Sequence, residues 1–367
     1  MPGERAKLLE PARFGAVIAG RPVGLYVLRN AGGMTVAITN YGAKIAQILV
    51  PDRHGLFDDV VLGYDSIEGY LSGSPSMGAF IGRYAGRIGN ATFELNGKRY
   101  KLTANNGPHC LHGGARGSRF RAFDVEQVTA NSLALRYVFA DGEEGFPGAL
   151  DLRVRYTVTD ANELVIDYEA RPIDQPTIAN FTSHAFFNLE GESSRGLGGH
   201  QVMIASDEVL GMNAELLATG DVIRLAGGAL DLREATMLSD RLGGEAVRST
   251  AQAARDAARI DGYDDCYVVR SGADGLKLCS RVSAPATGRV METWSTEACV
   301  QFYTGKAPRE KLVGGAGKSG EPYFQQNGFC LEPQGFPNAP HCPWAESAVV
   351  KEGANRGGRI VYSFAVS

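Results

Sequence analysis

Residues 133–169 read LALRYVFADGEEGFPGALDLRVRYTVTDANELVIDYE. Within this stretch, three segments alternate with a period of two. Leu133, Leu135, Tyr137 and Phe139 fall on one side of the first, opposite Ala134, Arg136 and Val138. Leu152, Val154, Tyr156 and Val158 alternate with Arg153, Arg155, Thr157 and Thr159 in the second. Leu164, Ile166 and Tyr168 alternate with Val165, Asp167 and Glu169 in the third. Successive side chains of a strand point to opposite faces, so each segment predicts a half-buried antiparallel strand with one face on a core. Gly142, Gly145 and Pro147-Gly148 mark a loop between the first two, and Asp160-Ala161-Asn162 a turn between the last two.

The same pattern extends outward from this stretch. Ile360, Tyr362, Phe364 and Val366 repeat it near the C-terminal end. Asn96-Gly97 lies between Thr92–Leu95 and Lys98–Leu102, and Asn-Gly suits a two-residue hairpin in which both central residues need positive φ. Helix signals are few. The best is Glu245–Ile260, rich in Ala and Arg, between Gly243-Gly244 and Asp261-Gly262; a solvated insertion is the alternative. Glycine supplies 47 of the 367 residues, well above its usual share of roughly 7%, which fits a chain with many tight turns. No linker, composition shift or internal repeat divides it. The expectation is an all-β protein with few short helices: residues 1–367 as a single, mostly antiparallel β domain.

Lys plus Arg total 37 and Asp plus Glu total 41, a net charge of −4. Nucleic acid is therefore not an expected partner, since neutralising phosphates calls for a basic patch. No apolar run approaches the ~20 residues of a membrane helix, and the first residues lack the basic-then-apolar order of a secretory signal. The six cysteines form no C-x-x-C pair, so a zinc ribbon is not expected and they read as reduced core or loop residues. A cytoplasmic protein is expected.

Two motifs invite a reading that their context opposes. Gly315-Ala316-Gly317-Lys318-Ser319-Gly320 satisfies G-x-G-x-x-G and resembles the end of a phosphate loop. Leu312 stands where that loop needs Gly, and the following Glu-Pro-Tyr-Phe is a poor helix start, so a flexible loop is expected instead. His109-Cys110-Leu111-His112 has two histidines three apart, but Pro108 and Gly113-Gly114 place them in a loop without an obvious third ligand. No metal is expected.

His184, in Asn-Phe-Thr-Ser-His-Ala-Phe-Phe, is flanked by apolar residues and reads by itself as a core histidine. Glu332, in Gly-Phe-Cys-Leu-Glu-Pro, stands at the end of an alternating strand and reads alone as a surface glutamate. In order along the chain occur Asn-Tyr-Gly-Ala-Lys (40–44), Gly-Arg-Tyr-Ala-Gly-Arg-Ile (82–88), Asn-Asn-Gly (105–107) with Leu-His-Gly-Gly (111–114), and Asp-Gly-Glu-Glu-Gly-Phe-Pro-Gly (141–148). The His184 segment, Gly-Tyr-Asp (262–264), Val-Gln-Phe-Tyr-Thr-Gly (300–305) and Phe-Cys-Leu-Glu (329–332) follow. This succession resembles the aldose 1-epimerase (galactose mutarotase) family from about residue 15 to the end.

The resemblance implies a large antiparallel β-sandwich with a sugar cleft, and interconversion of the α and β anomers of free aldoses such as galactose or glucose. It assigns His184 as general acid and Glu332 as general base, and maps sugar contacts onto Arg87, His112, Asp264 and Gln301. The residue types suit the chemistry. Anomer exchange removes a proton from the C1 hydroxyl and delivers one to the ring oxygen, and a positioned acid and base each contribute about 10²–10⁴-fold. An ordinary imidazole titrates near 6.5 and an ordinary glutamate near 4.3, so at neutrality Glu332 is expected ionised. No metal or organic cofactor is implied. Phe187 and Phe302 are candidates to pack on the apolar face of the pyranose. The only implied partner is a monosaccharide, with the chain a monomer or homodimer.

The chain departs from the family pattern at several positions. Gly86 stands where Asn is usual, His109 replaces an Asn, and Ser183 and Phe186 replace Asn and Tyr. Asp265 replaces a His, and Gly117-Ser118-Arg119-Phe120 replaces Gly-Phe-Asp-Lys. These departures leave His184 and Glu332 in place and bear on which aldose is preferred. Two other readings are a non-catalytic sugar-binding β-sandwich and a glycoside hydrolase. The hydrolase would pair Asp264 with Glu332 about 5–9.5 Å apart and leave His184 without a role.

Overall fold

The alternating segments form the strands Ser132–Phe139, Leu150–Val158 and Glu163–Pro172, in adjacent antiparallel register. Leu135 lies opposite Val154 and Val154 opposite Tyr168, so the apolar residues align across one face. That face is buried. The other carries exposed ion pairs such as Arg136–Asp151 (2.8 Å) and Arg359–Asp167 (2.6 Å), a location where ion pairs add little stability. The structure is a computed structural model that describes residues 7–74, 76–243, 257–270, 275–305 and 316–367.

These strands belong to a sheet of nine, continued by Arg356–Val366, Arg289–Ser295, Lys277–Ala284, Gln201–Ile204 and Thr236–Met237, with Asp124–Val128 at the other edge. A four-stranded sheet, Leu25–Arg29, Thr35–Thr39, Lys44–Pro51 and Phe57–Asp59, and a five-stranded sheet share its core. The five run Ala218–Arg224, Glu208–Met212, Asp264–Val268, Cys299–Tyr303, Cys330–Gln334. One continuous apolar cluster joins Ile38 and Ile45, Leu135 and Ile166, and Val300, Phe302 and Leu331. Full burial of side chains of this size stabilises by about 1.5–3 kcal/mol each. The result is the expected large β-sandwich.

Among the described residues the α-helices are Ile67–Ser72, capped by the Ser66 hydroxyl on the Gly69 N–H (3.3 Å), and Leu238–Arg241. Residues 245–256 of the expected helix lie outside the described residues. Its end, 257–260, is not helical: Ile260 donates its N–H to Arg241 O (2.8 Å) and Ala229 donates to Ala257 O (2.7 Å). These tertiary bonds replace the helical ladder. The Asn96-Gly97 hairpin forms as expected, with φ of 52° and 73°.

Lys318 overturns the expectation of a flexible loop. Its ammonium donates to Asp59 (2.6 Å), Val61 O (2.7 Å) and Ala46 O (2.8 Å), which uses all three protons. Tyr323 and Glu192 hydrogen-bond beside it. Gly315 lies outside the described residues, and no helix follows Lys318. A cleft of about 680 Å³ borders this clamp, lined by Gln47, Asp58 and Lys318 among others. Its buried Lys318, Asp59, Gln47 and Glu192 side chains are bound to one another or to neighbouring groups. All six cysteines are free and buried.

Candidate active site

The five-stranded sheet has two unlike faces, and strand periodicity decides which residues reach each. Cys266 lies opposite Gln301 and Gln301 opposite Glu332, while Tyr303 lies opposite both Asp264 and Cys330. These residues share the outer face. Tyr267, Val300, Phe302 and Leu331 alternate with them and enter the core. A cleft of about 320 Å³ opens on the outer face. Arg87, His112, His184, Asp264, Gln301 and Glu332 all line it, so six residues scattered over 246 positions of sequence converge on one site.

Alternation also corrects the expected aromatic contacts. Phe187 packs on Tyr362 and Phe302 on Tyr263, both with ring centroids 4.8 Å apart, inside the core. Their neighbours Phe186 and Tyr303 line the cleft instead, with centroids 5.9 Å apart. Asp265 likewise lies off the cleft-lining set. Tyr303 and Gln334 were legible in principle, each two residues from an identified site residue on the same strand. Ser74, Ser76, Met212 and Leu216 reach the rim from loops and strand ends that carry no such signal.

The opposite wall is a two-stranded ribbon in which Leu111 pairs with Arg87 and Cys110 with Ile88. A short strand therefore occupies part of the expected loop. Arg87 Nε donates to Asn106 Oδ1 (2.9 Å), which aims the guanidinium along the wall. His112 has φ of 53°, and its Nδ1 accepts the Gly86 N–H at 3.3 Å. An accepting Nδ1 places the proton on Nε2. Gly86 has φ of +77°, and a Cβ there would lie 3.0 Å from the Pro337 side chain. Its contribution is thus a backbone donor to His112 in a packed position. His109 is held separately: its Nδ1 accepts the Asn90 N–H (3.1 Å) and its Nε2 lies 3.6 Å from Glu215.

His184 follows the short strand Thr182–Ser183, which pairs with Phe80–Ile81. Its backbone is fixed on both sides, N–H to Ala79 O (2.8 Å) and O from Gly78 N–H (3.0 Å). The ring sits edge-on to His112 (centroids 5.4 Å) and against Phe186 (5.1 Å). Its Nδ1 lies 3.5 Å from Cys330 Sγ, and its Nε2 lies 3.7 Å from Glu332 Oε1. At 3.7 Å the pair is too long for a hydrogen bond and close enough to serve one small ligand. Gln301 Nε2 donates to Asp264 Oδ1 (2.7 Å), orienting that carboxylate.

Burial governs the electrostatics. It pushes His184 down to about 4, helped by the Arg119 and Lys44 charges. It pushes Glu332 well above the usual carboxylate range, helped by Asp264. His112 is held well below 6.5 by burial, then by His184, Arg119 and Arg87. Burial thus opposes both charges of the pair and favours a neutral imidazole beside a protonated carboxyl, against the expectation of an ionised Glu332 beside an ordinary imidazole. This state holds the same single proton as imidazolium with carboxylate. Cys330, His184 and Glu332 place their nitrogen, sulfur and oxygen atoms within 4.8 Å, the one such cluster among the described residues. Burial, with Glu332 and Asp264, keeps the Cys330 thiol protonated, and it is the thiolate that ligates metals.

Fold and cleft together define an all-β protein with an imidazole and a carboxyl facing one another at the floor of a polar, ligand-sized pocket. The family model for aldose 1-epimerase matches residues 24–363. A galactose mutarotase from Bos taurus is 37% identical over 91% of this chain and 92% of its own length. An aldose 1-epimerase from Escherichia coli (strain K12) is 31% identical over 88% and 89%. The crystal structure of an aldose epimerase homologue from C. elegans superposes with a TM-score of 0.82 at 28% identity, covering 94% of this chain and 99% of that one. The chain belongs to the aldose 1-epimerase family, and as an enzyme it is an isomerase. Among the described residues no helix is long and apolar enough to cross a membrane.

Proposed function

We propose that this isomerase interconverts the α and β anomers of free aldoses such as galactose or glucose, with His184 as general acid and Glu332 as general base. The observation that carries the assignment is the 3.7 Å approach of His184 Nε2 to Glu332 Oε1 at the cleft floor, with Arg87, His112, Asp264 and Gln301 around it. Relatives named as epimerases and mutarotases favour an enzyme over a non-catalytic sugar-binding module.

In the reactive form the shared proton resides on His184 and Glu332 is ionised. Glu332 takes the C1 hydroxyl proton while His184 protonates the ring oxygen, and the C1–O5 bond breaks to give the open aldehyde. The C1–C2 bond rotates. The C5 hydroxyl then returns its proton to His184 as it attacks C1 from the other face, and Glu332 protonates the new C1 oxygen. The single proton is restored to its starting place, so each turnover leaves the pair ready for another. Arg87, His112 through Nε2–H, Gln301 and Asp264 hydrogen-bond the ring hydroxyls. Phe186 and Tyr303 offer aromatic surface to the apolar side of the ring. Residues 1–367 act as one catalytic domain, in the cytoplasm, as a monomer or homodimer, with no nucleic-acid or membrane partner and no cofactor.

The test is a panel of galactose, glucose, xylose and arabinose, each dissolved as one anomer and followed by polarimetry. Acceleration over the spontaneous rate with at least one aldose is expected. No acceleration with any, together with calorimetric sugar binding, would return the non-catalytic reading.

A further inference from the structure

The segment Gly117-Ser118-Arg119-Phe120, where this chain departs from the family pattern, forms a single 3-10 turn, Ser118–Phe120, behind the cleft. Arg119 is 5% exposed. Its Nη1 donates to His112 O (2.6 Å) and, at the long limit, to Leu111 O (3.4 Å), while Nη2 donates to Gly114 O (3.1 Å). The guanidinium thus grips the turn that bears His112 from beneath, and its planar fork suits several carbonyls at once. Within that turn, a Cβ at Gly114 would lie 2.5 Å from Glu144 Oε2. The turn packs against both a buried cation and a buried carboxylate.

Ser118 links the same turn to the other imidazole. Its hydroxyl donates to Phe80 O (2.7 Å) and accepts the Gly82 N–H (2.7 Å). Phe80 pairs with Ser183, the residue before His184. His112 and His184, whose rings meet edge-on, are therefore both referred to one short turn.

We propose that Arg119 is a positioning residue for the reaction: its buried guanidinium fixes the His112 turn, so that His112 meets the sugar in one orientation, and Ser118 keys that turn to the strand leading to His184. Charge works in the same direction. Arg119 disfavours protonation of both His112 and His184. The charged and titratable groups around it are Glu144, Cys110, Lys44, His112 and His184. Arg87 acts on His112 as well.

This inference rests on the anomerisation reading, and its test separates the two. Arg119→Lys keeps the charge and loses the fork. It is expected to raise KM about tenfold with the acid limb of the pH–rate profile in its wild-type place. Arg119→Met loses both, so KM rises and the acid limb moves up from its wild-type place, while the alkaline limb stays. Folded variants with wild-type KM and wild-type acid limb would overturn the proposal and leave Arg119 merely structural. Should Arg119→Met fail to fold, ¹⁵N-histidine NMR of the wild-type protein decides. His112 is expected to titrate well below 6.5, with the proton of its neutral ring on Nε2; a His112 that titrates near 6.5 overturns the proposal. A wild-type protein that accelerates no aldose sinks the anomerisation reading, and the NMR result still judges Arg119.

Discussion

Lowering the pH to 5 separates this site from an ordinary histidine–glutamate pair. The reactive and resting forms of His184–Glu332 both hold one proton, so activity follows the total proton count of the pair rather than either residue alone. A second proton has to go onto His184, whose value is pushed down to about 4 by burial. At pH 5 an imidazole titrating at about 4 is roughly 10% protonated, whereas one titrating at 6.5 is about 97% protonated. The wild-type kcat/KM at pH 5 is thus expected to stay within about 10–20% of its plateau, against a loss of roughly 30-fold for an ordinary imidazole. At the other end, Glu332 is raised by burial and by Asp264, so the last proton leaves well above the usual carboxylate range. The profile should be a broad plateau. Polarimetric rates from pH 4 to 9, corrected for spontaneous anomerisation at each pH, supply the measurement. An acid limb centred near 6.5 would refute the reasoning from burial.

Three further outcomes follow from particular contacts. Lys318→Met leaves the Asp59 carboxylate buried without its cation, and urea titration should show a loss of about 3–5 kcal/mol; a loss below about 1 kcal/mol would mean the clamp is not a stabilising element. Gly114→Ala forces a Cβ against Glu144 at φ of +94°, so KM should rise about tenfold through strain of about 1–3 kcal/mol. Gly97→Ala, whose Cβ meets nothing within 4 Å, should leave KM unchanged, and equal KM values for both variants would count against the packing of the His112 turn. His200 is pushed down to about 4 by burial, with Nε2 accepting the Leu189 N–H (2.9 Å). Its depressed value means the unfolded chain takes up the proton first. Its share of the stability is complete above about pH 6.5 and falls by up to roughly 3 kcal/mol as pH drops to about 4. His200→Gln should flatten that part of the stability–pH curve, and an unchanged slope would contradict the assignment.

The strands around 132–172 were legible because one face meets water and the other a core. Thr35–Thr39 and most of Lys44–Pro51 gave no alternation because both faces are buried. Ordered motifs exposed His184 and Glu332, although each looked unremarkable alone. Choosing Phe187 over Phe186 and Phe302 over Tyr303 was an error of register: adjacent residues on a strand face opposite ways, and only the paired strands tell which face is wet. Arg119 was marked only as part of a stretch that departs from the family pattern, since its contacts are with carbonyls on a turn that folding brings over it. Lys318 misled for the same reason, its partners lying some 260 positions earlier. The direction in which the site's titration is shifted was invisible as well, because it comes from burial and not from residue type.

The central claim is that His184 and Glu332 transfer the protons. Exchange NMR between the α and β anomers of an accepted aldose reads this directly, with wild type, His184→Ala and Glu332→Gln compared at equal folded concentration. Each variant is predicted to lose about 10²–10⁴-fold of the catalysed exchange while still binding the sugar. Full wild-type exchange in either folded variant would contradict the account.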